Sequence, residues 1–322
     1  MKGDKVTSTQ VAERAGVSQA AVSRVFTPGA SASLKITDKV RRAATELGYR
    51  PNVLARSLIT GKSHIIGLVV AYLENQFYPE AIEKLSKTLQ IQGYHVLVFM
   101  ASNDEKANQS VIDELLDYQV DGIITASVSM SNALTARCEA AGIPIILFNR
   151  LQDDARLSGV SSDNFRGGYK LAECLIQAGH QQIAHIAGWK GASTQRDREA
   201  GFMSGLAAHN MALFDRTEGN FHYEQAQQAA RDLFAKQDQP DAVFVANDHM
   251  AFAAMDVVRF ELGLRIPEDV SFVGYDDVAL AAWPSYDLTT VRQPANRMVT
   301  ETVQMLLARI DNPDAEPRRV SI

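Results

Sequence analysis

Cysteine is almost missing from this chain. The two present, Cys138 and Cys174, are far apart and match no metal-ligand spacing. That excludes a disulfide framework and a thiolate metal centre, and it fits free thiols in a reducing cytosol, with buried packing as their role. No apolar run approaches the roughly 18–20 residues a membrane span needs, so none is expected. Met1–Lys5 is too polar and charged to read as a secretory signal. Enzyme motifs are missing as well. There is no G-x-x-x-x-G-K-[ST], no strand-borne G-x-G-x-x-G, no H-E-x-x-H and no paired Cys/His. Gly188-Trp189-Lys190-Gly191 is a glycine-containing loop without phosphate-loop spacing. Asp276 and Asp277 are adjacent, whereas glycosidase carboxylates come from different elements. Asp248-His249 reads as a structural pair at a helix start. Catalysis, a metal and a cofactor are therefore not expected, and no short repeat or low-complexity tract is visible.

An excess of positive charge is also lacking: the chain carries a net −6, which taken whole argues against a nucleic-acid binder. The charge is uneven, however. Residues 1–62 hold eleven Lys/Arg against four Asp/Glu, a net of +7, and the remaining residues carry −13. A basic head on an acidic body is what a protein shows when only its head touches DNA.

Within that head, residues 6–26 read as two short helices joined by a tight turn. Thr7 is placed to N-cap the first, with Gln10 completing a capping box. Val11, Ala12 and Ala15 form its apolar face, Gly16 ends it, and Val17 plugs the turn. Ser18 N-caps the second helix. At 100° per residue Ala21, Val22, Val25 and Phe26 fall on one side, and Ala20, Ser23 and Arg24 on the other, with Gln19 at the edge. Small residues permit close approach to a major groove, Arg24 suits a guanine, and Gln19 suits an adenine. A helix-turn-helix is expected, although any small helical hairpin shares parts of this pattern. A third helix is expected from Thr37 to Leu47, stopped by Gly48, with Lys39, Arg41 and Arg42 either solvated or contacting phosphates.

Pro51 and Asn52 mark a boundary. Val53–Leu58 is too short for a stable isolated helix, so it is either a plain linker or a helix that forms only when docked. From His64 apolar strands alternate with helices. Strands are expected at Ile65–Ala71, His95–Met100, Gly122–Ala126, Pro144–Phe148, Ile183–Ala187, Ala242–Ala246 and Val270–Gly274. Amphipathic stretches run over Pro79–Gln92, Lys106–Tyr118, Gly168–Ala178, Arg198–His209, Tyr223–Ala235 and Met250–Leu262. This alternation predicts parallel sheets covered on both faces, in two similar α/β halves divided near Ser161.

Two motifs, V-A-x-x-A-G-V-S-x-x-A-V-S-R-V and L-G-Y-R-P-N-x-x-A-R-S-L, resemble the LacI/GalR family of bacterial transcription repressors. The chain departs from the family where Ala21 replaces the commoner Thr, and where Thr27-Pro28-Gly29 replaces Asn-Gly. The resemblance extends to about residue 320. It implies an all-α helix-turn-helix head (1–50), a hinge (51–62), and an α/β body with a two-lobed periplasmic-binding-protein-like fold. One lobe would comprise 63–160 and 291–322, the other 161–290, the chain crossing back near Val291. It implies a cytoplasmic homodimer on double-stranded, pseudo-palindromic operator DNA. The head residues Thr7, Ser18, Gln19, Ala20, Ser23 and Arg24 would face the DNA. Leu58 would wedge between base pairs in the minor groove, with Asn52 near phosphate and Ala55 allowing close approach. The family usually ends in a final strand and a short tail where this chain stops, at Ser321-Ile322, so the end is either cut short or unusual. A sugar-binding protein of transport or chemoreception would share the body, but needs an export signal and no basic head.

In open α/β sheets ligands lie beyond the carboxyl ends of the strands. Those ends carry Asn75-Gln76-Phe77-Tyr78, Ser127 and Ser129, Asn149-Arg150, Gln195-Arg196-Asp197-Arg198, Phe221, Asn247-Asp248 and Tyr275-Asp276-Asp277, with Trp283 in a following loop. Aromatic faces beside amides, carboxylates and guanidinium groups suit a polyhydroxylated ligand. The resemblance implies effector contacts at Phe77, Tyr78, Ser127, Asn149, Arg198, Phe221, Asn247 and Asp276. Arg150 fits the family's common pattern, and Asn149 stands where many members have Asp. Asn247 either holds ligand or caps a helix. Arg198 and Asp276 either hold ligand or pair with each other. Asp277 is expected to point away, and Trp283 either stacks on ligand or packs between lobes.

Overall fold

Three capped helices open the chain. Thr7 accepts from the Gln10 amide while the Gln10 side chain accepts from Thr7, a complete capping box at the start of α1 (Ser8–Ala15). Gly16 ends the helix at φ 65°, a left-handed turn that favours glycine. Ser18 caps α2 (Gln19–Phe26) through the Ala21 amide. The third helix, α3 (Leu34–Leu47), begins three residues before the expected Thr37 because Ser33, not Thr37, supplies its cap. Val11, Ala12, Val22, Val40, Ala43 and Ala44 form a small core, with Val17, Val25, Phe26 and Leu47 packed around it. Arg14 clamps α1 to α3 through Glu46 at 2.8–2.9 Å.

The computed structural model describes residues 6–27, 30–50, 62–101, 105–128 and 132–322. They fall into two units, Met1–Ser63 and His64–Ile322. Asn52, Ala55 and Leu58 of the expected hinge, and Ser129, lie outside the described residues.

The second unit alternates strand and helix: β1 (Ile65–Val70), α4 (Phe77–Ile91), β2 (His95–Met100), α5 (Glu105–Asp117), β3 (Gly122–Ala126), α6 (Asn132–Ala140), β4 (Ile145–Phe148), β5 (Ser158–Ser161), α7 (Asn164–Gln177), β6 (Ile183–Ala187), α8 (Ser193–Ala208), β7 (Asp215–Glu218), α9 (Tyr223–Phe234), β8 (Ala242–Val245), α10 (Asp248–Asp256), β9 (Ser271–Asp276), β10 (Thr289–Arg292), α11 (Ala295–Asp311) and β11 (Arg319–Ser321). A π-helical turn, Val257–Glu261, continues α10. Strands pair in parallel into two sheets, ordered β11-β5-β4-β3-β1-β2 and β10-β9-β8-β6-β7. Alternate residues of β1 enter different cores: Ile66, Leu68 and Val70 one, Val69 another.

The chain leaves the first sheet after β5 and re-enters it with α11, which packs on β3, β4 and β5, and with β11, which pairs with β5. Val291 itself lies in β10 of the second sheet, so the return comes after Arg292 rather than at Val291. Where the chain end was expected to be either cut short or unusual, a terminal strand forms with regular parallel register against Gly159–Ser161. Helices α7 and α8 start a full turn or more before their amphipathic patterns, at Asn164 and Ser193 against Gly168 and Arg198. At α8 the first turn, Ser193-Thr194-Gln195, is buried and polar, so no apolar stripe marks it. At α7 and α8 the backbones nearly touch: a Cβ on Gly168 would lie 2.0 Å from the Arg198 carbonyl oxygen, and one on Gly201 1.9 Å from that of Phe165. Only glycine permits that approach, which brings Asn164 to Arg198. Cys138 is buried in the core, its thiol pushed up to about 11 by desolvation, whereas Cys174 is exposed rather than packed inside.

Candidate functional site

In the helical unit Thr7, Ser18, Gln19, Ala20, Ser23 and Arg24 are all exposed, while Ala21 and Val22 are buried. The outer face of α2 is therefore small and polar, with one guanidinium. Among the described residues the Arg24 side chain makes one hydrogen bond, a long one from Nε to the Ala20 carbonyl, 3.4 Å, which leaves the outer edge of its fork to the surface. Gln19 differs from expectation: its amide nitrogen donates to Ser8 Oγ at 2.9 Å. A bidentate contact to adenine requires that bond to break. Lys39, Arg41 and Arg42 are exposed on α3.

In the α/β unit the carboxyl ends of both sheets converge on one cavity. The strand order of each sheet reverses here, between β1 and β3 and between β6 and β8, the place where such sheets open a crevice. From the first sheet come Tyr72, Asn75 and Tyr78 after β1, Ser127 after β3, and Asn149 and Arg150 after β4. From the second come Thr194 and Arg198 on α8, Phe221 after β7, Asn247 after β8 and Asp276 at the end of β9. Five of these hold a positive φ: Tyr72 61°, Ser127 64°, Asn149 69°, Phe221 67° and Asp276 133°. Side-chain-bearing residues pay for that conformation, and such strain concentrates where it aims a side chain for use.

The polar groups form one network. Arg198 donates from Nε to Asn164 Oδ1 at 2.8 Å, from one terminal nitrogen to the Ala246 carbonyl at 2.7 Å, and from the other to Asp276 Oδ1 at 3.4 Å. Its guanidinium carbon sits 3.7 Å from the centroid of the Tyr275 ring. Asp276 also accepts from Gln293 at 2.7 Å and, across the cavity, from Asn75 at 3.2 Å. The two alternatives for Arg198 and Asp276 thus hold together: they pair with each other, and both line the cavity. Desolvation raises the Asp276 pKa against the opposing charge of Arg198. Asn247 caps α10 through Oδ1 on the Met250 amide and still lines the cavity. Asn149 donates to Tyr78 Oη at 3.1 Å, while its buried Oδ1 accepts no hydrogen bond among the described residues. Arg150, nearly buried, lies 5.4 Å from the Trp189 ring and 6.0 Å from the Phe221 ring, and burial lowers its pKa.

Two expected contacts are not brought to the cavity. Phe77 is 3% exposed and stacks on Phe148 at 6.2 Å, so it builds the core under α4. Its amide donates to Asn75 Oδ1, and that bond turns Asn75 inward instead. Trp283 is 55% exposed and lies outside the lining. Asp277 points away, as expected, and pairs with Arg292. Sequence reasoning passed over Tyr72, Thr194 and Gln293, and named Asn75 at the end of β1 without giving it a contact. Thr194 lies on α8 rather than at a strand end, and Gln293 follows β10, a strand that the sequence reading did not identify.

Residues 9–52 match the family described as bacterial regulatory proteins, lacI family, and residues 63–322 match periplasmic binding proteins and sugar binding domain of LacI family. Among curated relatives, the probable HTH-type transcriptional repressor ExuR of Bacillus subtilis is 30% identical over 98% of this chain and 95% of its own. The HTH-type transcriptional repressor PurR of Vibrio vulnificus is 32% identical over 97% of this chain and 94% of its own. Among solved structures, the lac repressor dimer bound to operator and the anti-inducer ONPF is similar with TM-score 0.87 and 28% identity, covering 99% of this chain and 96% of that one.

Proposed function

This chain belongs to the LacI family of bacterial regulatory proteins, and from that premise we propose which of its residues carry the two halves of the task. It is a ligand-responsive, sequence-specific DNA-binding transcription regulator, and its relatives are repressors, a non-enzymatic role. Residues 1–50 read operator DNA and residues 51–62 relay the signal. Residues 63–322 bind the effector. Arg24 and Ser23 of α2 meet base edges, with Ala20 allowing approach, and the caps at Thr7 and Ser18 set the two helices. One such helix has few base contacts, so two copies share a pseudo-palindromic site. The apolar edge strand β2, with Val98 and Met100 half-exposed, suits contact between copies. The cytoplasm is where such a protein meets DNA.

The effector is a small, sugar-like molecule held by Tyr78, Ser127, Asn149, Arg150, Arg198, Phe221, Asn247 and Asp276, joined by Tyr72, Asn75 and Thr194. The observation that supports this most is the composition of the cavity: aromatic rings beside amides, hydroxyls and a balanced Arg198–Asp276 pair. Planar rings cover C–H faces, and the polar groups bracket hydroxyls. A solute-binding protein of transport would use the same cavity, but the match over residues 9–52 and the exposed face of α2 favour the regulator. The test is a thermal-shift screen of the full chain against monosaccharides, sugar acids and nucleosides, followed by operator release with any hit. A ligand at 100 times its Kd adds about 2.7 kcal/mol. A hit among nucleosides and none among sugars would overturn the sugar reading. An operator affinity insensitive to salt would count against the DNA reading.

A further inference from the structure

Behind the cavity lies a second carboxyl that forms no part of its lining. Asp248, the first residue of α10, is fully buried. Its Oδ2 accepts from the Val278 amide at 3.0 Å, and the Thr290 hydroxyl on β10 donates to its Oδ1 at 2.6 Å. Thr290 Oγ1 in turn accepts from the Asp277 amide at 3.4 Å. These bonds grip the turn Asp276–Val278, whose first two residues hold φ 133° and 57°. That is the turn that aims Asp276 into the cavity. Gly274 completes the fit, since a Cβ there would lie 2.3 Å from Asp248 Oδ1 and 2.9 Å from Leu288. Two carboxyls in one dry region cannot both ionise without mutual repulsion.

We propose that Asp248 is a positioning residue for the effector site: it holds the Asp276–Val278 turn in its left-handed form and carries the proton that lets Asp276 remain charged toward the cavity. This rests on reading the cavity as the effector site. The groups that face Asp248 are few. Asp276 faces it from β9, with Arg198 beyond on α8, and Thr290 from β10. Arg292 on β10 is turned outward onto Asp277. On its own helix the His249 ring lies against Tyr223, 5.8 Å away. Burial first, and the charge of Asp276 second, push the Asp248 carboxyl up to about 7, against the hydrogen bonds from Thr290, Val278 and Asp277, which pull it down.

An unfolded aspartate loses its proton near pH ~4. The folded chain keeps one here until near 7, so it holds an extra proton between those values. The contribution of Asp248 to stability then falls as pH rises through that window and levels off above it. The buried ring of His185, its pKa lowered to about 4, and the half-buried ring of His249 contribute in the opposite sense, so the comparison is between variants. The experiment is thermal unfolding of the full chain from pH 5 to 8.5, with no ligand added. Asp248→Asn mimics the protonated carboxyl: its oxygen accepts from Val278, and its amide donates to Thr290, reversing the bond that a carboxylate accepts. Relative to this variant, wild type should lose several degrees of Tm between pH 5 and 7.5, the two melting together near pH 5 and apart at pH 8. Asp276→Asn should shift the slope in the same direction as Asp248→Asn, and the double variant should add nothing, because the two carboxyls share one titration. Asp248→Ala, which cannot hold the turn, should melt below Asp248→Asn at every pH. A slope of Tm against pH unchanged from wild type in Asp248→Asn, or additive effects of the two Asn variants, would each overturn the proposal. Because no ligand enters, failure of the effector reading would show only in the screen, and failure of this one only here.

Discussion

The helical unit keeps its functional groups outside its core, and the α/β unit buries them. In the first, every described side chain assigned to DNA is exposed, and the core holds only small apolar residues. Its helix starts are capped from within three residues, by Thr7, Ser18 and Ser33, and its longer-range polar pairs, Arg14–Glu46 and Gln19–Ser8, lie at the surface. In the second, Arg150, Arg198, Asn149, Asn247 and Asp276 are all buried, and their partners come from far along the chain: Asn75 and Asp276 are 201 residues apart. The difference follows from the partners. DNA arrives already hydrated and charged, so its readers stay hydrated and mobile until they meet it. A small ligand offers little area, so its site must be dry, prearranged and already paired. The head is thus a surface carried on a scaffold, and the body is a network into which a ligand fits.

Variants that remove a member of the buried network should have the largest effects. Asp276→Ala takes one acceptor from Arg198, Gln293 and Asn75 at once. Effector affinity should drop by about 100-fold or more, ~3 kcal/mol, while operator affinity stays near wild type. Isothermal titration and an operator gel shift on the same folded sample check both. Equal loss in the two assays would erase the separation between the units. On the exposed face the loss should be smaller and confined to one base pair. Arg24→Ala should cost about 1–3 kcal/mol of discrimination at one position per half-site. A uniform loss across a set of operator variants would make Arg24 a phosphate contact instead.

Smaller still are changes to the local devices that hold the head together. Thr7→Ala removes half of the capping box and should cost about 1 kcal/mol. Hydrogen exchange should show it as loss of protection in α1, with strands of the second unit unaffected. Arg14→Ala breaks an exposed clamp to Glu46, both partners roughly half-exposed, and should cost well under 1 kcal/mol. A loss above 2 kcal/mol would mean that surface pairing matters more to this head than its six-residue core.

The same contrast decides what could be read in advance. The caps at Thr7 and Ser18, the stop at Gly16, and the split of α2 into buried Ala21 and Val22 against exposed Ser23 and Arg24 are local and periodic, and all were legible. The strands too were legible as unbroken apolar runs: Gly122–Ala126 and Ile183–Ala187, fully buried, match to the residue, and so does His95–Met100, a half-exposed edge strand. The start of α3 was missed by three residues because two hydroxyl residues, Ser33 and Thr37, competed for the cap. Phe77 misled because its place after a strand says nothing about which way a helix turns it. The side chain of Asn75, which accepts from the Phe77 amide, and the ring of Phe148 settle that.

By itself the sequence determined the class of each segment and the sign of its charge, since propensity, capping and periodicity act over a few residues. Only the tertiary structure decided which strand ends share a cavity, where the chain returns to its first sheet, and that Asp248 stands behind Asp276. Those outcomes depend on groups tens to hundreds of residues apart meeting in a space from which water has been excluded. There the cost of an unpaired charge, rather than any local preference, selects the arrangement.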